Sequence, residues 1–317
     1  MFLQKRHFIL PSNQSPLGTL PARFRRERLL IVGCGDVGVR VARGLGGRVR
    51  LLALTSQSAR APELRALHIT PLQGNLDQPF SLRRLAGLAT RVVHLAPPPN
   101  DGADWWRDPR TQALLRALRL RTAPRALVYG STSGVYGDCA GSWVDECRTT
   151  NPHTPRAHRR VDAESTVRHF GRAAHVRASI LRIPGIYAPD RAGGTPRERL
   201  LKSTPVLDAA DDVYTNHIHA DDLARACLAA LWRGKPQRVV NASDDSDLKM
   251  GDYMDLAADL YGLPRPPRIA RDAAADQLPL SLLSFMGESR RLVNRRLKRE
   301  LKLVLHYPTV ATGLLLK

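Results

Sequence analysis

Through about residue 182, short apolar runs alternate with amphipathic ones. Segments 29–32 (LLIV), 48–54 (RVRLLAL), 69–73, 91–95 (RVVHL), 126–130 (ALVYG) and 176–182 have strand length and little internal polarity. Between them, 39–45, 61–67, 105–121 and 156–170 carry apolar residues at helical spacing; Leu114, Leu115 and Leu118 share one side of their run. Strands alternating with helices predict a doubly wound parallel sheet of the α/β class, of Rossmann type, with both faces covered. In such sheets ligands bind beyond the carboxyl ends of the strands. After Pro184 the pattern breaks, and Pro, Gly and Arg fill 184–196. Helices are expected at 219–232, where Asp221 and Asp222 suit the positive end of the dipole, and at 249–261, closed by Gly262 and Pro264. The basic stretch 278–305 reads as helical. The expected organisation is a Rossmann domain at 28–187 and a smaller C-terminal α/β lobe at 188–317, with 213–242 returning to the sheet. Residues 1–27 are basic, punctuated by Pro11, Pro16 and Pro21, and free of acids before Glu27; a transit-peptide-like segment would share the lack of acids, but a disordered extension or a misassigned start codon is the expectation.

The first strand runs directly into Gly33-Cys34-Gly35-Asp36-Val37-Gly38, and a helix follows at once. A glycine-rich turn between a strand and a helix is the signature of a dinucleotide site. Gly33 allows the tight turn, Gly35 lets backbone approach a pyrophosphate, and Gly38 lets the helix pack on the strand. The helix start then offers free N–H groups to the phosphates. Asp36 and Val37 belong to the same cofactor-binding turn.

Composition narrows the alternatives. The chain has 317 residues, 43% of them hydrophobic, which suffices for a large core. No run approaches the roughly 18 apolar residues of a membrane span. The four cysteines form no CxxC pair and no zinc spacing, which predicts a reduced, cytoplasmic protein. Net charge is +20, and only seven of the 49 basic residues are Lys. The arginines are scattered and aromatics are scarce, so no specific nucleic-acid partner is expected; weak polyanion attraction through the basic arm is the most the charge implies. His217 and His219 form an HxH with no third ligand nearby, and no metal is expected.

The fifth strand leads into Tyr129-Gly130-Ser131-Thr132-Ser133-Gly134-Val135-Tyr136-Gly137-Asp138, which sets hydroxyls at a strand's carboxyl end. Together with the glycine turn this resembles the extended short-chain dehydrogenase/reductase family, in its NAD-dependent epimerase/dehydratase-like branch. Gly74-Asn75-Leu76-Asp77 is similar to that family's turn beside the adenine, and His94-Leu95-Ala96 to its fourth strand end. Leu181-Arg182-Ile183-Pro184-Gly185-Ile186-Tyr187 is similar to the segment near the nicotinamide. His217-Ile218-His219-Ala220-Asp221-Asp222 and Asn241-Ala242-Ser243-Asp244 match later motifs in order and spacing. The resemblance spans roughly residues 28–310. It implies NAD(P) contacts from Asn75, Leu76, Leu95, Ala96, Pro97 and Pro184, and a substrate-facing Thr132. A small-molecule substrate and a homodimer are expected.

One departure is decisive for chemistry. Where the family has a Tyr and a Lys four residues apart, this chain has Arg156 and Arg160. Tyr can pass a proton to a substrate oxygen, whereas a guanidinium stays protonated. The chain thus resembles an atypical subgroup lacking the active-site pair. At i and i+4 the two arginines share a helix face and could bind an anionic substrate group; the alternative is two solvated side chains with Arg160 paired to Glu164. Among other candidates, Tyr136 is expected to be packed, Tyr187 to line the pocket, and His158 to point away around the helix from Arg156. After the second strand, Thr55, Ser56 and Arg60 replace the acid that would hold a ribose 2′-hydroxyl, which favours NADP over NAD. The expected function is an NAD(P)-binding oxidoreductase or epimerase/dehydratase-like protein with a degenerate active site, or alternatively a non-catalytic NAD(P)-binding sensor or scaffold.

Overall fold

A computed structural model describes residues 27–47, 49–100 and 104–315. Seven strands form one sheet: β1 (Arg28–Val32), β2 (Arg50–Thr55), β3 (Ile69–Gln73), β4 (Arg91–His94), β5 (Ala126–Thr132), β6 (Arg177–Ile183) and β7 (Arg238–Asn241). Their order is β7-β6-β5-β4-β1-β2-β3, and every pairing is parallel. The order reverses between β1 and β4, where Leu29 faces Leu51 on one side and Arg91 on the other. A crevice opens at such a reversal, beyond the strand ends.

The apolar runs are continuous because both faces of the sheet are covered. Leu29 and Ile31 pack into a core with Val41, Leu223 and Cys227, whereas Leu30 and Val32 pack into the opposite core with Leu114, Leu118 and Phe170. The first core is roofed by α1 (Asp36–Arg43) and α4 (Ala220–Arg233), the second by α2 (Pro109–Arg119) and α3 (Pro155–Ala173). The return to the sheet after the chain leaves it at Ile183 is made by α4 and then β7, whose Val239 pairs with Ile180.

Beyond the sheet lie four two-stranded ribbons and α5 (Met250–Tyr261). Gly185–Tyr187 pairs with His217–His219, and Val206–Leu207 with Arg268–Ile269. Smaller cores built on Met254 and Leu200, and on Met250 and Leu207, hold this part together.

Several boundaries differ from expectation. The helix expected over 105–121 begins only at Pro109, because the Asp108 carboxylate caps it, accepting from Thr111 N at 3.1 Å and Thr111 Oγ1 at 2.7 Å. The continuous helix expected over 278–305 does not form. Helix Leu280–Met286 stops at Gly287, Arg291–Leu292 is drawn into a ribbon against Trp143–Val144, and a short helix follows at Arg295–Arg299. The ribbon's hydrogen bonds, Arg291 N to Ser142 O and Val293 N to Val144 O, outcompete local helix propensity. The basic extension lies outside the described residues except for Glu27, which accepts from Thr90 Oγ1 at 2.5 Å. Among the described residues, no helix is long and apolar enough to cross a membrane.

Candidate functional site

The turn between β1 and α1 is shaped by three glycines with three different constraints. Gly33 has φ of +84°, and a Cβ there would lie 2.4 Å from Ala96 N; the turn is pressed onto the end of β4. A Cβ at Gly38 would sit 3.1 Å from Ile31 Cγ2, so the absence of a side chain sets the spacing of α1 and β1. At Gly35 a Cβ would meet nothing within 4 Å. Gly35 is also the N-cap of α1 and makes no side-chain capping bond. An uncapped helix start with open space at its glycine is a cradle for an anion. The Cys34 thiol between them is buried, which raises its pKa to about 11 and keeps it protonated.

Gly33, Gly35, Asp36, Val37 and Gly38 line one end of a cavity of about 920 Å³. The end of β5 supplies a second wall with Thr132, whose Oγ1 caps the following turn by accepting from Gly134 N at 3.3 Å. The first turns of α3, which is capped by Thr154 accepting from Ala157 N, supply Arg156, Arg159 and Arg160. The C-terminal lobe closes the cavity with Arg199, Arg290, His217, Met250 and Tyr253.

Arg156 is exposed at the cavity and, among the described residues, has no hydrogen bond or ion pair; partial desolvation and the charge of Arg160 both lower its pKa. Arg160 is buried, and its Nη1 donates to Gly130 O at 2.7 Å and to Tyr129 Oη at 3.0 Å. The Arg160–Glu164 surface pair weighed as an alternative is not formed. Both residues are buried, and Glu164 instead accepts from Arg182 Nε at 3.0 Å, from Arg182 Nη2 at 2.8 Å and from Ser131 Oγ at 2.7 Å. Helical spacing brings 160 and 164 to one face, but the strand beneath offers Glu164 a two-pronged partner.

The remaining expected site residues divide. Leu95 and Pro184 line the cavity with the glycine turn, Thr132, Arg156 and Arg160. Thr55, Ser56, Arg60, Asn75, Leu76, Ala96 and Pro97 lie outside its lining. Arg60 is joined to the turn nonetheless, since its Nη1 donates to Cys34 O at 2.8 Å while Nε and Nη2 pair with Glu63. Thr55 Oγ1 accepts from Gln57 N, and Ser56 O accepts from Gln73 Nε2. Asn75 Oδ1 accepts from Asp77 N, and Leu76 packs against the core under β2. Pro97 O accepts from Arg110, whose guanidinium forks onto Asp77.

Tyr187 does not line the cavity. It is buried, its Oη donates to Thr309 O at 3.1 Å, and a Cβ on the neighbouring Gly313 would lie 2.9 Å from it. Tyr136 is packed as expected and donates to Asn241 Oδ1 at 2.8 Å. His158 turns from the cavity to meet Trp105 edge-on. His219 caps α4, accepting from Asp221 N, and stacks on Tyr307 at 3.7 Å. His217 packs on Tyr253 at 4.2 Å, and burial drives its pKa down to about 4. Sequence reasoning missed Arg159, Arg199, Arg290, Met250 and Tyr253. They come from four distant segments, and only the Arg-rich stretch 191–199 carried a local signal.

A glycine turn at the reversal of a parallel sheet and a hydroxyl-bearing strand end beside it define an α/β protein of Rossmann type. The model of the NAD dependent epimerase/dehydratase family matches residues 29–243, and the chain belongs to that family. It is similar to a functionally unknown conserved protein from Silicibacter pomeroyi (28% identity, 91% of this chain and 96% of that one, TM-score 0.75). It shares its fold with a UDP-glucose 4-epimerase from Thermotoga maritima, solved with UDP-glucose (17% identity, 90% and 96% covered, TM-score 0.73). A UDP-glucuronic acid 4-epimerase from Bacillus cereus, solved with UDP-glucuronic acid and NAD, is likewise similar in fold (18% identity, 90% and 96% covered, TM-score 0.72). No curated protein matches the chain.

Proposed function

We propose that this protein is an NAD(P)-dependent oxidoreductase or epimerase/dehydratase-type enzyme of an atypical subgroup that works without the Tyr/Lys pair. The observation that carries this reading is the Gly35 cradle. An uncapped helix start and a Cβ position in open space face the same cavity as Thr132 and Arg156. The lining suits a dinucleotide in this reading: the backbone of the Gly33–Gly38 turn for the pyrophosphate and Leu95 and Pro184 along the cavity, with Asn75 and Leu76, outside the lining, assigned to the adenine end by the family resemblance. When bound, the dinucleotide supplies hydride transfer. Thr132 Oγ1 is placed to hold a substrate oxygen. Arg156 and Arg160 supply positive charge to an anionic small-molecule substrate but no transferable proton near neutral pH.

Arg60 supports a preference for NADP. It follows β2, where the chain lacks an acid, and its Nη1 rests on Cys34 O of the glycine turn while Glu63 holds its Nε and Nη2, so a 2′-phosphate would compete with Glu63 for the guanidinium. A cytoplasmic homodimer completes the reading. The arginines at the Tyr and Lys positions favour one competitor, a non-catalytic NAD(P) sensor or scaffold.

Fluorescence titration with NADPH and NADH tests the first layer. NADPH is expected to bind at least several-fold tighter than NADH, to lose most affinity in Gly35→Asp, and to lose its advantage in Arg60→Gln. Absence of binding by either cofactor overturns both readings. NADPH binding without any turnover across a carbonyl and sugar-nucleotide screen selects the sensor.

A further inference from the structure

Six arginines and two carboxylates line the cavity. Both carboxylates are already engaged: Asp36 pairs with Arg40 and Arg191, and Glu288 with Arg290. Arg156, Arg159, Arg160 and Arg199 therefore face one space without a carboxylate partner among the described residues. Elsewhere in the molecule buried arginines find acids readily, as Arg182 does with Glu164 and Arg40 with Asp190 and Asp221. Among the described residues, four of the cavity's six arginines thus lack a carboxylate partner.

The four do not play the same part. Arg159 is anchored on Asn100 O and Arg160 on Gly130 O and Tyr129 Oη, so they act as fixed positive charges behind the wall. Asp108 lies within electrostatic reach of Arg160, but its carboxylate is bonded to Thr111. Arg156 has no hydrogen-bond or ion-pair partner among the described residues. Arg199, from helix Arg197–Leu201 of the C-terminal lobe, has Nε and Nη2 shielded from solvent without a hydrogen bond; its one contact is Nη1 to Met250 Sδ at 3.9 Å. A guanidinium fork beside Met250 with two orphaned donors matches the geometry of a planar oxyanion. Both residues line one cavity, Arg156 with its guanidinium exposed and Arg199 with two orphaned donors just beneath the wall, and a ligand with two anionic ends would serve both.

We propose that the cavity's substrate is a small molecule with two anionic groups, here termed a dianion for those two groups rather than for its net charge, two carboxylates or a carboxylate and a phosphate, with one group on Arg156 and the other on Arg199. Arg156 is then a specificity residue standing where the family has its acid/base Tyr. The dianion spans from α3 to the C-terminal lobe and ties the two together. This rests on the reading that the dinucleotide takes the glycine-turn end.

The test is isothermal titration of succinate and of 3-phosphoglycerate into NADPH-saturated protein, at ionic strength held constant with NaCl, with succinamide as the uncharged control. At least one dianion is expected to bind, and succinamide is not. Arg156→Gln and Arg199→Gln are each expected to weaken the dianion at least tenfold with NADPH affinity unchanged, and Arg199→Lys to restore part of the loss. Failure of both dianions to bind the wild type, or unchanged binding in both Gln variants, overturns the inference. The same titrations without NADPH separate the two claims. Dianion binding that depends on Arg156 and Arg199 in a protein that ignores NADPH keeps the dianion site and removes the cofactor reading; NADPH binding with no dianion does the reverse.

Discussion

Arg160 and Arg182 are two buried arginines on either side of β5, and they are treated in opposite ways. Arg182 is 3% exposed, forks onto Glu164, and lies 4.6 Å from the Tyr136 ring. Arg160 is 6% exposed and receives only neutral acceptors, Gly130 O and Tyr129 Oη. The carboxylate one helical turn from Arg160 was available and went to Arg182. The first arrangement is closed on itself and holds β6 to α3. The second leaves a net charge at the wall of a cavity. Burial alone therefore does not distinguish a structural arginine from one that serves a ligand; the identity of its acceptor does.

The largest effect should come from opening the closed pair. Glu164→Gln leaves Arg182 buried without a counter-charge and is expected to cost about 3–5 kcal/mol in urea unfolding. A cost as small as that of a surface substitution would break the comparison. Next comes the glycine turn, which has its own closed and open sides. Gly33→Ala forces a Cβ to within 2.4 Å of the Ala96 backbone at a φ of +84° and should cost about 2–3 kcal/mol by the same measurement. Gly35→Ala, in open space, should cost less than about 1 kcal/mol. Equal costs would remove the distinction between a turn pressed on β4 and a turn open to the cavity.

Asp244 sharpens the comparison by acid titration. It is buried without an ion-pair partner among the described residues, and burial pushes its pKa up to about 7 from an ordinary 3.8. A folded-state pKa above the unfolded one means stability is fully present below about pH 4 and falls as pH rises through 7. Asp244→Asn should therefore match the wild type near pH 4 and exceed it above pH 7, by an amount on the order of 1–3 kcal/mol. His94, held down to about 3, and His217, held down to about 4, act in the opposite sense, with stability lost as pH falls from 6.5 toward those values. The wild-type-minus-variant difference isolates Asp244 from both. The smallest stability effect is expected at Arg160. Arg160→Met relieves an unpaired charge while leaving Gly130 O and Tyr129 Oη without that donor, and the two should nearly cancel, within about 1.5 kcal/mol. A loss as large as that of Glu164→Gln would mean Arg160 is structural after all.

The legible parts of the molecule were those with short-range causes. Leu29 to Val32 read as a buried strand because every residue is apolar, and the structure divides them between two cores. The glycine turn read as a nucleotide cradle because strand, turn and helix are contiguous. The residues that close the cavity were not legible: Arg199, Arg290 and Tyr253 lie in three segments that meet only after the C-terminal lobe docks. The tail misread as one helix shows the same limit. Its basic, Leu-containing sequence has helical propensity, but Arg291 and Leu292 pair with Trp143 and Val144, some 150 positions earlier.

By itself the sequence determined the layered parallel sheet, the turn at its switch point, and the replacement of Tyr and Lys by Arg156 and Arg160, since periodicity, glycine placement and residue identity are local properties. Only the tertiary structure decided which arginines are neutralised. Glu164 can serve Arg160 on its own helix or Arg182 on the strand beneath, and the choice rests on geometry: the strand presents a guanidinium fork to both carboxylate oxygens inside a dry core, where a two-pronged, fully desolvated contact outweighs a single contact along the helix.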